Sequence, residues 1–380
     1  MNQPTNTTVA DKLLRAYRFK LKPTRAQHNR LREALEWSRQ LYNAALEERI
    51  DCYRKTGRTR SYFDQCKGLT VLRSDAVKYA VSMERAPLRA LHFAYNSFFS
   101  RGGFPRFKGR EWFKSIGWVD DLGWRFGQDF WAKGIGRIKV HQHRAIPSSP
   151  KTARIKREGR HWYLYLVCEI EANAANDNAP AIGLDLGLSS FAALSDGTFI
   201  PNPRRGRKAQ KELRRRQRAL ARCKRGSKRR RKARARVAVA HQTVRQARRT
   251  FQFQTAADLC RRYSVIAIEN LNVKGLARAA LARDVNDAAW GQFIGILSDK
   301  AESAGRKVVR VDPRGTSQTC PECGTIKAKK LSERVHACDC GYSTDRDVAA
   351  ARVIAMRAVH GPPELKVGGC AVPAPRKAVA

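Results

Sequence analysis

Acidic residues are scarce in this 380-residue chain: 33 Asp and Glu face 76 Lys and Arg, a formal charge of +43. Self-repulsion on that scale destabilises a compact state unless a polyanion neutralises it. Solubility alone needs a far smaller net charge, so nucleic acid is the expected partner. Long apolar runs are missing too. No stretch of about 20 apolar residues is present to span a bilayer, so no membrane role is expected. The first twenty residues, MNQPTNTTVADKLLRAYRFK, hold no signal-peptide core, and the expected location is cytoplasmic. No internal repeat is visible. Hydrophobic residues still make up 42% of the chain, which excludes a disordered chain and, at this length, fits two or three domains.

Local patterns give the organisation. Tyr17, Phe19 and Leu21 alternate with Arg18, Lys20 and Lys22, the period of a half-buried strand. Thr24-Arg25-Ala26-Gln27 reads as a capping box that opens a helix, with Leu31, Leu35, Leu41, Tyr42 and Ala45 on its apolar face. More helix is expected through 70–100. Strands follow from about 118 to 171, the clearest being Trp162, Leu164, Leu166, Cys168 and Ile170 alternating with Tyr163, Tyr165, Val167 and Glu169. Residues 172–180, ANAANDNAP, read as a linker and the main boundary. Beyond it come strands at 182–188 and 190–194, a hairpin turn at Asp196-Gly197, and helix from Val237 to Phe251. Then follow a strand at 264–268, one helix over 288–304, a strand at 307–311 and a last helix over 347–359. The Pro- and Gly-containing tail, 361–380, is expected to be disordered.

Three acids stand out. Asp185 lies inside the apolar run Ile182-Gly183-Leu184-Asp185-Leu186, Glu269 ends Val265-Ile266-Ala267-Ile268, and Asp347 opens the last helix. A cap or an ion pair would account for one such acid. Three, each at the middle or end of a core element, suggest convergence, because buried carboxylates are costly unless paired or bound to metal. Convergent carboxylates suit magnesium. Two such ions about 3.5–4 Å apart activate a water and stabilise the leaving oxygen of a phosphodiester. The element order and the placement of the acids suit an α/β, ribonuclease-H-like sheet.

Ten cysteines are present, six of them (Cys52, Cys66, Cys168, Cys223, Cys260, Cys370) scattered. The other four read Cys320-Pro321-Glu322-Cys323-Gly324 and Cys338-Asp339-Cys340-Gly341, with fourteen residues between the pairs. Four thiolates in two tight turns fit one structural zinc, with no position left open for catalysis. From Arg204 to Arg236, nineteen of thirty-three residues are Lys or Arg and only Glu212 is acidic. A solvated helix face would mix the signs, so this stretch is expected to follow phosphates. Arg214, Arg215, Arg229, Arg230 and Arg231 are the candidate contacts there. Arg106 and Lys108 in Gly103-Phe104-Pro105-Arg106-Phe107-Lys108 are further candidates, although Phe104 and Phe107 would equally pack a plain turn.

Taken together, GLDLGLSS, IAIENL, TSQTCPECG and ACDCG followed by TDRDVAAARVI resemble the TnpB (OrfB) proteins of insertion sequences, relatives of compact type V CRISPR nucleases. The segments AYRFKLKPTRAQ and GFPRFKGR extend the resemblance over nearly the whole chain. It implies a β-barrel wedge domain (1–22 and 118–171) carrying a helical recognition domain (23–117). It also implies a RuvC-type nuclease domain (181–312 and 344–360) interrupted by a zinc ribbon (313–343). The implied activity is RNA-guided cutting of double-stranded DNA beside a short flanking motif. In that reading Asp185, Glu269 and Asp347 are the magnesium-binding catalytic acids, and Cys320, Cys323, Cys338 and Cys340 hold zinc. The implied partners are a guide RNA and a target DNA duplex, with the protein at the nucleoid when on DNA. A CRISPR effector and a guide-directed repressor that does not cut are the alternatives. The family pattern Asp-x-Asn-Ala-Ala has Ala349 here in place of Asn, which keeps the repressor alternative open.

Overall fold

The structure is a computed structural model that describes residues 12–73, 78–100, 102–171, 178–276, 278, 282–330 and 333–360. It divides after Glu171 into two compact units. The expected linker lies outside the described residues except for 178–180, and the tail from 361 lies wholly outside them.

The first unit begins with β1 (Lys12–Lys22), whose alternation buries Phe19 and Leu21. A capping box at Thr24 and Gln27 opens α1 (Arg25–Thr56), and Gly57, at φ 66°, closes it in the left-handed conformation favoured by glycine. The helix expected through 70–100 is two helices, α2 (Tyr62–Leu72) and α3 (Val81–Phe99). Ser61 with Asp64 forms a second capping box that starts α2 ahead of the expected position. Then come β2 (Ser115–Gly117), β3 (Trp124–Phe126), β4 (Asp129–Ala132), β5 (Gly136–His141), β6 (Pro150–Glu158) and β7 (His161–Glu171). The helical stretch therefore ends before 117, since β2 joins the sheet.

Strand order is β2-β6-β7-β1-β5-β4-β3, antiparallel throughout. Among the described residues the two end strands do not pair, so the sheet expected as a β-barrel wedge is an open ladder of seven strands there. One core joins sheet to helix through Phe19, Leu31, Met83, Phe130, Trp162 and Leu164. A second lies between the helices, with Tyr42, Leu46, Leu69, Leu88 and Leu91.

The second unit opens with β8 (Ala181–Leu186), β9 (Ser190–Leu194) and β10 (Phe199–Pro201), the last two joined by the Asp196-Gly197 turn with Gly197 at φ 91°. Two basic helices follow, α4 (Arg205–Ala221) and α5 (Lys228–Arg262). Next are β11 (Val265–Glu269), α6 (Val273–Leu276), α7 (Ala282–Ala288), α8 (Trp290–Ser303) and β12 (Lys307–Val311). The chain continues through β13 (Val335–Ala337) and β14 (Ser343–Asp345) into α9 (Arg346–His360). The helix expected over 288–304 breaks at Ala289, which sits at φ 53°. Gln252, fully buried on α5, donates to the carbonyls of Ala288 and Ala289 at the break; Ala289 O also accepts from the N–H groups of Gln292 and Phe293, so α5 braces the break and supplies a buried partner to Ala288.

Sheet order in this unit is β10-β9-β8-β11-β12, with β8, β11 and β12 mutually parallel and the β8–β9–β10 meander antiparallel. The parallel strands are covered on both faces, as such strands must be. Ile182, Leu184, Leu186, Ile266 and Ile268 pack with Leu259, Phe293 and Leu297 of α5 and α8. On the other face Ala267 and Val311 meet Ile354 of α9. The result is a three-layer α/β/α arrangement.

Candidate active site

The two-residue period of a strand sorts side chains by face. Ile182, Leu184 and Leu186 point to α5 and α8, so Gly183 and Asp185 point to the α9 side. The contact there is very close. A Cβ on Gly183 would fall 2.0 Å from the Ala351 carbonyl oxygen and 2.7 Å from the Ala355 nitrogen of α9. Glycine at 183 thus lets α9 lie directly on the strand and carries its first turn over Asp185. The parallel register supplies the second acid. Ile268 pairs with Leu184, so one step further sets Glu269 beside Asp185, both at the carboxyl ends of their strands, where open α/β sheets bind ligands.

Asp345 and Asp347 have separate roles. Asp345 accepts hydrogen bonds from the backbone N–H of Asp347 (2.8 Å) and Val348 (3.3 Å), which makes it the cap of α9. Asp347, in the first helical turn, lies 3.4 Å from the Arg346 guanidinium. Ala349 is fully buried in the same helix.

The charges interact as a cluster. Burial, then Glu269, then Asp347 push the Asp185 carboxyl up to about 7, with Arg346 opposing. Burial also raises Glu269, opposed by a hydrogen bond from Thr316 and by the charge of Arg357. Glu269 and Asp347 both act on Asp185, yet among the described residues no group of three or more carboxylates closes to within 4.8 Å as the cysteines do. A donor set that wide cannot close on one ion without adjustment, whereas a pair of ions about 3.5–4 Å apart spans more. An all-oxygen, multiply acidic set is the chemistry magnesium takes, and a bound cation would relieve the crowding that raises Asp185.

The cysteines fit zinc directly. The ligand atoms of Cys320, Cys323, Cys338 and Cys340 all lie within 4.8 Å of one another, with Sγ separations of 3.7 Å for Cys320–Cys340 and 3.5 Å for Cys323–Cys338. Four sulfurs each about 2.3 Å from a tetrahedral ion stand about 3.8 Å apart. Both turns close as their glycines predict: Gly324 (φ 74°) donates to Cys320 O and Gly341 (φ 88°) to Cys338 O. The Thr325 hydroxyl, 3.3 Å from Cys323 Sγ, leads the contacts that lower that thiol to about 6, while burial raises Cys320 and, against the Tyr342 backbone, hydrogen bonds within the cluster raise Cys340, so the four sulfurs share their protons until a metal displaces them.

Basic candidates separate by exposure. Arg214, Arg215, Arg229 and Arg231 are exposed on the α4–α5 pair, although Arg215 also pairs with Glu212 at 2.8 Å. Arg230 turns inward and donates to the carbonyls of Leu220 and Cys223, closing the turn between the helices. Arg106 is exposed. Lys108 belongs to a segment docked on α1, with its carbonyl accepting from Arg39 and Asn43 and its amine 5.3 Å from the Tyr42 ring centre. Sequence reasoning passed over Gly183, Thr316 and Arg346. The first had a signal, a glycine inside an apolar strand; the other two depend on a fold that brings distant segments together.

Comparison with known proteins finds relatives along most of the chain. A family model described as "Probable transposase" (OrfB, IS605) matches residues 165–280, and one described as "Cas12f1-like, TNB domain" matches 290–354. A third, described as "Helix-turn-helix domain", matches 13–58, which are here β1 and the single helix α1. A Streptomyces pristinaespiralis protein named as an RNA-guided DNA endonuclease is 33% identical over 357 residues, 90% of this chain and 88% of its own. An Escherichia coli K12 protein with the same kind of name is 27% identical over 373 residues, 90% of this chain and 92% of its own. Among solved structures, a Cas12f1–sgRNA–target DNA complex shares the fold at a TM-score of 0.58 and 13% identity, covering 87% of this chain and 82% of that one.

Proposed function

This chain belongs to the OrfB (TnpB) family, and from that premise we propose that it is an RNA-guided DNA endonuclease of a transposable element, cutting guide-matched DNA beside a short flanking motif. The observation that carries the reading is the register of β8 and β11, which sets Glu269 beside Asp185 under the first turn of α9. In this reading Asp185, Glu269 and Asp347 hold two magnesium ions, which supply an activated water and charge neutralisation at the scissile phosphate. Asp185 is central because it feels both other acids. Thr316 and Arg357 act on Glu269, and Arg346 acts on Asp185 and Asp347. Sequence specificity comes from base pairing with the guide, while the protein reads shape and the flanking motif.

The second unit is then a RuvC-like nuclease domain over 181–312 and 344–360, with the zinc ribbon at 313–343. The first unit's sheet, β2 included, serves as the wedge, and the helices α1, α2 and α3 before it serve recognition. Zinc on Cys320, Cys323, Cys338 and Cys340 holds the ribbon together. The exposed arginines of α4 and α5 face nucleic acid.

The test is to purify the protein with its RNA, sequence that RNA, and supply a matched duplex with magnesium. Asp185→Ala, Glu269→Ala and Asp347→Ala are each expected to abolish cutting while RNA and duplex binding change less than about twofold. Cutting that persists in all three variants would overturn the assignment. Binding without any product from the unmodified protein would point to the repressor, the alternative that Ala349 keeps open.

A further inference from the structure

The segment between β12 and α9 holds the cysteines, and both of its ends touch the acidic cluster. At its start, Arg357 of α9 donates to the carbonyls of Asp312 and Arg314, each at 2.8 Å. Asn270, the residue after Glu269, donates its N–H to Val311 O at 2.8 Å. Thr316 is 4% exposed, and its hydroxyl reaches two acceptors, Glu269 Oε1 and, at 3.1 Å, the Pro313 carbonyl, the carboxylate being the nearer. Thr319, equally buried, donates through its N–H (2.9 Å) and its hydroxyl (2.8 Å) to Gly315 O, which makes the link from Thr316 to Cys320 one tight turn. At its end, Arg352 donates to the Tyr342 hydroxyl at 2.8 Å, two residues past Cys340. β14 then runs without a break into the helix that carries Asp347. The near side of the cysteine cluster is therefore only a few residues from a contact to a catalytic acid, and the far side is tied to the helix that carries Asp347.

We infer that Thr316 is a positioning residue, whose hydroxyl fixes the rotation of the Glu269 carboxylate and so ties magnesium affinity at the acids to the zinc-held loop. This rests on the nuclease reading above. Backbone pairing fixes the Glu269 main chain on both sides, through β11 and the Asn270–Val311 bond, but leaves its carboxylate free to rotate. A carboxylate free to rotate loses affinity as a ligand, and groups that orient metal ligands typically contribute 10–100-fold to metal affinity. Thr316 is the hydroxyl that reaches Oε1, and its own position is set by the turn leading to Cys320. The other oxygen, Oε2, remains for an ion. Coupling between the two metal sites follows, and by linkage it acts in both directions.

The test uses the full-length protein with its RNA, and Mn²⁺ as a spectroscopic substitute for magnesium. Free Mn²⁺ is titrated by electron paramagnetic resonance, and zinc per chain is measured in the same samples. Thr316→Val, which keeps the shape and removes the hydroxyl, is expected to weaken Mn²⁺ binding about tenfold or more. It should retain one zinc and raise the magnesium concentration for half-maximal cutting by a similar factor, with the rate at saturating magnesium nearly unchanged. Thr316→Ser is expected to restore affinity. Unchanged Mn²⁺ affinity in Thr316→Val would overturn the inference. So would a serine variant as weak as the valine one, or a valine variant that loses its zinc, because each assigns the threonine to packing or ribbon folding. If unmodified protein and Asp185→Ala gave the same Mn²⁺ isotherm, the nuclease reading itself would fall, and this inference with it.

Discussion

At the scale of single residues, the acidic cluster is a liability to the metal-free fold. The Asp185 carboxyl, ordinarily near 3.8, is pushed to about 7 by burial, Glu269 and Asp347. An acid whose folded value is raised binds its proton more tightly when folded than unfolded. Stability is therefore lost as pH rises from 3.8, and the loss is complete above about 7. The distance between those two values bounds the penalty at about 4 kcal/mol, reduced by any water that reaches the cluster. Asp185→Asn removes the charge and keeps the shape. In magnesium-free, zinc-replete buffer the Asn variant is expected to melt above the parent at about pH 8, by the equivalent of about 1–3 kcal/mol. The gain should shrink steadily toward about pH 5. Melting curves at several pH values check this, and an Asn variant no more stable than the parent under alkaline conditions would mean that the acids are not crowded. Added magnesium should stabilise the parent more than the variant, because only the parent offers the full donor set.

At the scale of elements, the sequence was most legible where one local rule decided the outcome. The alternation in β1 and β7, the Thr24 capping box and the glycine-closed cysteine turns all stand as expected. Each depends on residues within a few positions of one another. The break at Ala289 was not legible, because its stabilising partner, Gln252, lies 37 residues away on α5. The barrel was expected from resemblance, and among the described residues the ladder is open at β2 and β3. The three acids were legible as candidates from the cost of burying charge, but their meeting required the β8–β11 register and the seating of α9. That seating yields a sharp prediction. With a Cβ at 183 only 2.0 Å from a backbone carbonyl, Gly183→Ala must push α9 off the sheet. Overpacking against rigid backbone costs about 3 kcal/mol or more. A drop of that size in urea unfolding is expected, together with weakened Mn²⁺ binding as Asp347 moves away from Asp185. An alanine variant as stable as the parent would show that α9 does not sit on β8 so closely.

At the scale of the whole molecule, the charge of +43 gives the free chain and its nucleic-acid complex opposite responses to salt. In the free chain the excess positive charge repels itself, and screening relieves this as the Debye length falls from about 30 Å at 0.01 M to about 8 Å at 0.15 M. The melting temperature of protein stripped of nucleic acid should therefore rise with potassium chloride. In the complex, RNA stabilises the fold by mass action, and affinity falls with salt by a log–log slope of about 0.7–0.9 per phosphate neutralised. The RNA-bound melting temperature should start higher and fall, so that the two curves converge. The exposed Arg214, Arg215, Arg229 and Arg231 set part of that slope. Replacing all four with glutamine should flatten the salt dependence of RNA binding by about one unit for each phosphate that these arginines neutralise. The same change should raise the low-salt melting temperature of the free chain, since repulsion is removed. Arg230→Gln, by contrast, removes donors to Leu220 and Cys223 and should loosen the α4–α5 turn, with little effect on the slope. Thermal melts across a salt series, with and without bound RNA, separate these outcomes. Parallel falling curves would mean that the basic residues are compensated within the fold, and that the charge is not held in reserve for a polyanion.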